Sequence, residues 1–135
     1  MSALTEFLFP APAKRTAGAI FGWWEKRRLP YNLIVGGAGL ASVTWMWVAE
    51  AILRSGFVSF PWQPIVIVGV LANICYTLGP ITETFIEKLW GRDVLPAGPV
   101  LYRMGLTFSV GLALLPGMIM TFSFIVRTLI AIFGA

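Results

Sequence analysis

Three apolar runs, at about 31–53, 65–85 and 101–126, leave this chain few ways to fold. At roughly 1.5 Å of helical rise per residue, each is long enough to cross the ~30 Å hydrocarbon core of a bilayer. Backbone groups inside hydrocarbon must be satisfied within the segment, so each run is expected to be a helix. The predicted fold class is therefore all-α: an integral, multi-pass membrane protein with three transmembrane helices. Composition agrees, with 58% apolar and only 12% charged residues in 135. That balance is foreign to a soluble domain.

The net charge of +4 does not suggest nucleic acid, because the basic residues sit at the ends of the apolar runs. Five of the ten precede the first run, one (Arg54) follows it, three (Lys88, Arg92, Arg103) lie around the second connection, and one (Arg127) comes late. Placing the N-terminus inside puts eight of ten on the cytoplasmic side, which predicts an N-in, C-out topology.

Residues 1–30 are expected to be a leader and a helix lying in the headgroup region. Phe7-Leu8-Phe9 precedes Lys14-Arg15, the reverse of a signal peptide's order, and Pro10 and Pro12 break the leader. Ala17, Ile20, Phe21 and Trp24 then recur at helical steps. Trp23, Trp24, Lys26, Arg27 and Arg28 read as interfacial anchors, with Pro30 ending the helix. A soluble helix that meets a partner is the alternative. Trp62 and Trp90 read as further anchors at the ends of the second run.

Residues 31–135 form the predicted three-helix membrane domain. The first span has small residues, Gly36 and Gly37 among them, where another backbone can approach, and Glu50 stands four residues before Arg54. Ser55 to Pro64 is too proline-rich for a helix. In the third run Gly105, Ser109, Ala113, Gly117 and Thr121 repeat at four-residue steps, a ridge suited to close helix packing. Pro116-Gly117 is expected to interrupt that helix, and Thr128 to Ala135 to tilt, lie flat or pack on something. Apolar residues at both ends, Leu4, Phe7, Leu8 and Phe9 and then Leu129, Ile130, Ile132 and Phe133, are expected to grip neighbouring subunits.

The densest polar cluster in any apolar run is Ala72 to Glu83. Asn73 and Thr77 share one helical face, while Tyr76, Gly79 and Glu83 form a neighbouring line, and Pro80 frees a carbonyl. Asn73, Tyr76, Thr77 and Glu83 are expected to hydrogen-bond between helices, with Glu83 near the membrane boundary; a ligand site is the alternative. There is no histidine, and the single cysteine, Cys75, lies in mid-run. A metal, haem or redox-thiol enzyme is not expected, so no catalytic, metal or cofactor residues are assigned. Lipids, pigments or quinones are admitted against Trp45, Trp47, Phe108 or Phe122 by apolar contact alone.

The stretches Trp24-Glu25-Lys26-Arg27-Arg28-Leu29-Pro30-Tyr31-Asn32-Leu33-Ile34 and Ala72-Asn73-Ile74-Cys75-Tyr76-Thr77-Leu78-Gly79 carry a resemblance. The chain resembles a loose group of small bacterial integral membrane proteins with E-K-R-R-x-x-Y-N-like and N-x-C-Y-like motifs. The resemblance implies location, in the bacterial cytoplasmic (inner) membrane, and topology only. A non-catalytic accessory subunit of a larger membrane complex is the expected function, respiratory and photosynthetic complexes being typical hosts. The alternatives are a small oligomeric transporter or channel with a polar path at Asn73, Tyr76 and Glu83, and a lipid or isoprenoid enzyme. The enzyme would have only Glu50 and Glu83 as candidate acids, expected near opposite faces.

Overall fold

A computed structural model describes residues 16–90 and 97–134. Three helices make up nearly all of it: α1 (Ala17–Arg54), α2 (Trp62–Trp90) and α3 (Gly98–Phe133). All three are long and apolar enough to cross a membrane.

The start of α1 is fixed by Thr16, whose hydroxyl accepts from the Ala19 N–H at 3.3 Å and so satisfies one orphan donor of the first turn. The helix then runs 38 residues, about 57 Å, straight through Pro30. The expected break there does not form, so the described part of residues 1–30 is no separate interfacial helix but the first turns of a candidate span. A proline removes a single helical donor. Here Trp24 and Tyr31, on either side of it, are both held against the other helices. Leu4, Phe7, Leu8, Phe9, Lys14 and Arg15 lie outside the described residues.

At the other end, Ser55 closes α1 in the left-handed conformation (φ 51°), and the ion pair Arg54–Glu50 forms at 2.7 Å. The connection is shorter than the sequence suggested, because α2 begins at Trp62 and takes in Pro64. Proline is tolerated in a first turn, where its missing N–H has no helical partner anyway. Trp47 ties the loop down, donating its indole N–H to the Val58 carbonyl at 2.6 Å and meeting the Phe60 ring edge-on at 5.6 Å.

α2 passes Pro80 without ending, and α3 likewise passes Pro116 and Arg127 and continues to Phe133. The expected interruption at Pro116-Gly117 is absent, and Thr128 to Phe133 are the last turns of α3.

α1 and α3 run parallel and meet through small and hydroxyl residues at regular steps. Tyr31 and Ser109 share a 2.8 Å hydrogen bond. A Cβ on Gly39 would lie 3.8 Å from that of Ala113. The Gly117 N–H donates to Ser42 Oγ at 2.8 Å, and the Trp45 indole donates to Thr121 Oγ1 at 2.8 Å. Ser109, Ala113, Gly117 and Thr121 thus all face α1. Gly105 does not, and Gly36 and Gly37 do not pack as expected either: all three are exposed, and a Cβ on any of them would meet nothing within 4 Å. The small stretch of α1 that is used begins three residues later, at Gly39 and Ser42.

Gly117 is the tightest point of this seam. A Cβ there would sit 2.7 Å from Ser42 Oγ and 3.2 Å from its Cα. Gly117→Leu is expected to lower stability by about 1–3 kcal/mol or more, through separation of α1 from α3. Gly37→Leu, and volume changes at the exposed Leu112 or Ile119, should leave it unchanged. Unfolding midpoints of the four purified variants in one detergent check the contrast.

Candidate functional site

Helical spacing puts two polar lines on α2, and α1 answers each with different residues. Tyr76, Gly79 and Glu83 receive Trp24. Asn73 and Thr77 receive Arg28 and Asn32.

Trp24 is buried to 3% exposure, and its indole N–H donates to Glu83 Oε2 at 2.7 Å. Its backbone carbonyl accepts the Tyr76 hydroxyl at 2.7 Å. Gly79 makes room for the ring, since a Cβ there would fall within 2.5 Å of Cζ3. Glu83, at 2% exposure, also touches the start of α3: a Cβ on Gly98 would lie 2.8 Å from Glu83 Oε1. The positive end of a helix dipole offsets part of the cost of a carboxylate held there. Oε1 itself has no hydrogen-bond partner among the described residues.

Around Trp24 an aromatic cluster closes the basic end of the bundle. Trp23 and Trp24 meet at 5.6 Å, Trp24 and Tyr76 at 5.3 Å, Tyr31 and Tyr76 at 4.5 Å, and Trp24 and Tyr102 at 5.9 Å, mostly edge to face. Such pairs add roughly 0.5–1.5 kcal/mol each beyond their buried area. Trp23 and Trp24 are therefore core residues and not the interfacial anchors that the sequence suggested. Arg27 lies over the Trp23 ring at 3.9 Å and donates to the Trp23 carbonyl at 3.0 Å. Lys26 is exposed, as are Trp62 and Trp90 near the two ends of α2.

The second line faces outward. Arg28 holds Glu25 through two bonds of 2.6 and 2.9 Å, and its Nη1 and Nη2 reach Asn73 Oδ1 and Thr77 Oγ1 at 3.4 Å each. Asn32 and Asn73 exchange amide hydrogen bonds of 3.1 and 3.0 Å. An open groove of about 580 Å³ runs past this cluster, walled by Val66, Gly69, Val70 and Ile74. The two motif stretches, about 45 residues apart in the chain, thus interlock residue by residue.

A separate cleft of about 300 Å³ opens between α2 and α3, bordered by Trp24, Tyr31, Tyr76, Tyr102, Gly105, Phe108 and Ser109. Of Asn73, Tyr76 and Glu83, Asn73 borders the outer groove, Tyr76 the cleft, and Glu83 neither.

Tyr102 was not legible as a contact residue, and Ser42 only as the last of the small residues of the first span where another backbone can approach. Tyr102 stands in the first turns of α3 beside Arg103, and only the fold brings its hydroxyl to the Arg27 carbonyl at 3.5 Å. Ser42 is one small residue among many. The one available signal is its place three residues after Gly39 on the same face.

Removing the donor to Glu83 should cost more than neutralising the acid. Trp24→Phe keeps most of the ring but leaves a buried carboxylate without its hydrogen bond, a loss of about 1.5–3 kcal/mol. Glu83→Gln retains a carbonyl oxygen that can accept from the indole, so a smaller loss is expected. Unfolding midpoints in detergent check the order, and the reverse order would show that the indole bond is not what holds Glu83. The site rests on this geometry alone, since no protein-family model, curated protein or solved structure matches the chain.

Proposed function

We propose that this chain is a non-catalytic accessory subunit of a larger membrane protein complex, seated in a bacterial inner membrane with its N-terminus inside. The observation that carries this reading is the outward polar face of α1 and α2. Arg28, Asn73 and Thr77 are only partly buried and border an open groove whose other walls are aliphatic, and the partly buried Asn32 is bonded to Asn73 beside it. Lipid tails offer such groups no hydrogen bonds, whereas the surface of a neighbouring protein does.

The spans themselves support the same reading. In their most apolar stretches only 11%, 11% and 6% of the residues of α1, α2 and α3 are buried within the chain. Small exposed residues such as Gly36, Gly37 and Gly111 leave places where another helix can approach closely. Respiratory and photosynthetic assemblies are hosts of this kind. A transport path is less well supported, because Asn73 lies on a different face of α2 from Tyr76 and Glu83, which are both bonded to Trp24.

Purification in mild detergent tests the proposal. Wild-type chain should co-migrate with larger membrane subunits, and Arg28→Ala with Asn73→Ala should lose most of that association while still inserting. A wild-type chain that runs alone would overturn the accessory reading. For orientation, reporter fusions after Arg54 and after Ala135 should read outside and fusions near Arg92 inside. An inside reading at the C-terminus would sink the three-span topology.

A further inference from the structure

We infer that the cleft between α2 and α3 is a binding site for a planar, oxygen-bearing ring on an apolar tail, the chemistry of a membrane quinone. Four aromatic side chains, Trp24, Tyr31, Tyr76 and Tyr102, line its inner wall, and at about 300 Å³ it has the size of a small-ligand pocket. The far wall is recessed. Gly105 borders the cleft, and a Cβ there would meet no atom within 4 Å, so the space beside it is open.

The polar atoms decide which apolar molecule fits. Tyr76 and Tyr102 already donate their hydroxyl protons to the Trp24 and Arg27 carbonyls. Tyr31 and Ser109, which both border the cleft, share a single 2.8 Å bond in which either can be the donor. Two hydroxyls with one bond between them leave one O–H proton with no acceptor among the described residues. Tyr31 is only 4% exposed and is satisfied as the donor, so the spare proton is that of Ser109, which is partly buried and borders the cleft. A ring carbonyl supplies the missing acceptor, which an acyl chain cannot. Exposed Leu78 and Phe108 flank the mouth, so an apolar tail can leave between them into lipid.

The test uses the purified full chain in detergent, with decylubiquinone as the probe and decylbenzene as a ring and tail of similar shape without oxygen. Saturable quenching of tryptophan fluorescence reports occupancy, because Trp24 borders the cleft. Decylubiquinone should bind saturably and more tightly than decylbenzene. Gly105→Leu fills open space and should abolish the saturable component while leaving the helical circular dichroism unchanged. The double variant Tyr31→Phe/Ser109→Ala removes both hydroxyls and should weaken decylubiquinone about five-fold, the effect of one neutral hydrogen bond, without changing decylbenzene. This second variant decides the matter even if Gly105→Leu fails to fold. Equal saturation in Gly105→Leu, or equal affinity for the two probes in the wild-type chain, would overturn the assignment and leave a hydrocarbon slot.

Discussion

One indole ring holds the basic end of this protein together. A carboxylate as deeply buried as Glu83 is tolerated only with a partner that offsets its desolvation. Trp24 supplies that partner from α1, and the start of α3 stands against the same carboxylate. Three helices therefore converge on one acid. The ring can reach it only because α2 presents Gly79 where any other residue would place a Cβ inside the indole. Tyr76 then caps the Trp24 carbonyl, so the tryptophan is fixed at both its backbone and its side chain.

The bundle that grows from this point is uneven. α1 and α3 continue side by side through Gly39, Ser42 and Trp45 against Ala113, Gly117 and Thr121. α2 makes its named hydrogen bonds to α1 only from Asn73 to Glu83, and Val66, Ile67 and Val68 nearer its start are exposed. Small residues let two backbones close up along most of their length, while a side-chain cluster holds a helix at one place. A helix held at one place leaves open spaces beside it. The polar groove lies on its α1 side and the aromatic cleft on its α3 side, and both reach the segment at which α2 is held.

Three helices were legible in the sequence because membrane thickness dictates the length of an apolar run. The two polar faces of α2 were legible too, since a 3.6-residue period sorts Asn73 and Thr77 from Tyr76, Gly79 and Glu83. What each face would meet was not. Tryptophan next to arginine and lysine has the composition of a headgroup anchor, and nothing local distinguishes an indole at the surface from one that bonds a carboxylate 59 residues away. Among the small residues the difficulty is similar. Gly36, Gly37 and Gly39 are equivalent as letters, and only the crossing of α1 with α3 selects the last.

The helix ends were misplaced for a related reason, which concerns proline. Each helix has a proline well inside it, at Pro30, Pro80 and Pro116, and none of the three ends its helix. Proline costs a helix one hydrogen bond and a steric clash, and in a membrane that loss is tolerated where other polar groups stand close to the freed backbone. Near Pro116, Ser42 Oγ accepts from the Gly117 N–H and donates to the Leu114 carbonyl at 3.4 Å. Near Pro80, the Thr84 hydroxyl donates to the Pro80 carbonyl at 2.7 Å and the Thr77 hydroxyl to the Asn73 carbonyl at 3.0 Å. Near Pro30, Arg27 and Tyr102 donate to the carbonyls of Trp23 and Arg27. Every proline thus falls in a turn already dense with side-chain donors, and two of these turns also carry the contacts to a neighbouring helix. Read one helix at a time, Pro30 is an end, Pro116 an interruption and Pro80 a freed carbonyl. In the assembled bundle the helices pass through them, and the turns around Pro30 and Pro116 meet a neighbouring helix there, through the Tyr102 hydroxyl and the Ser42 hydroxyl.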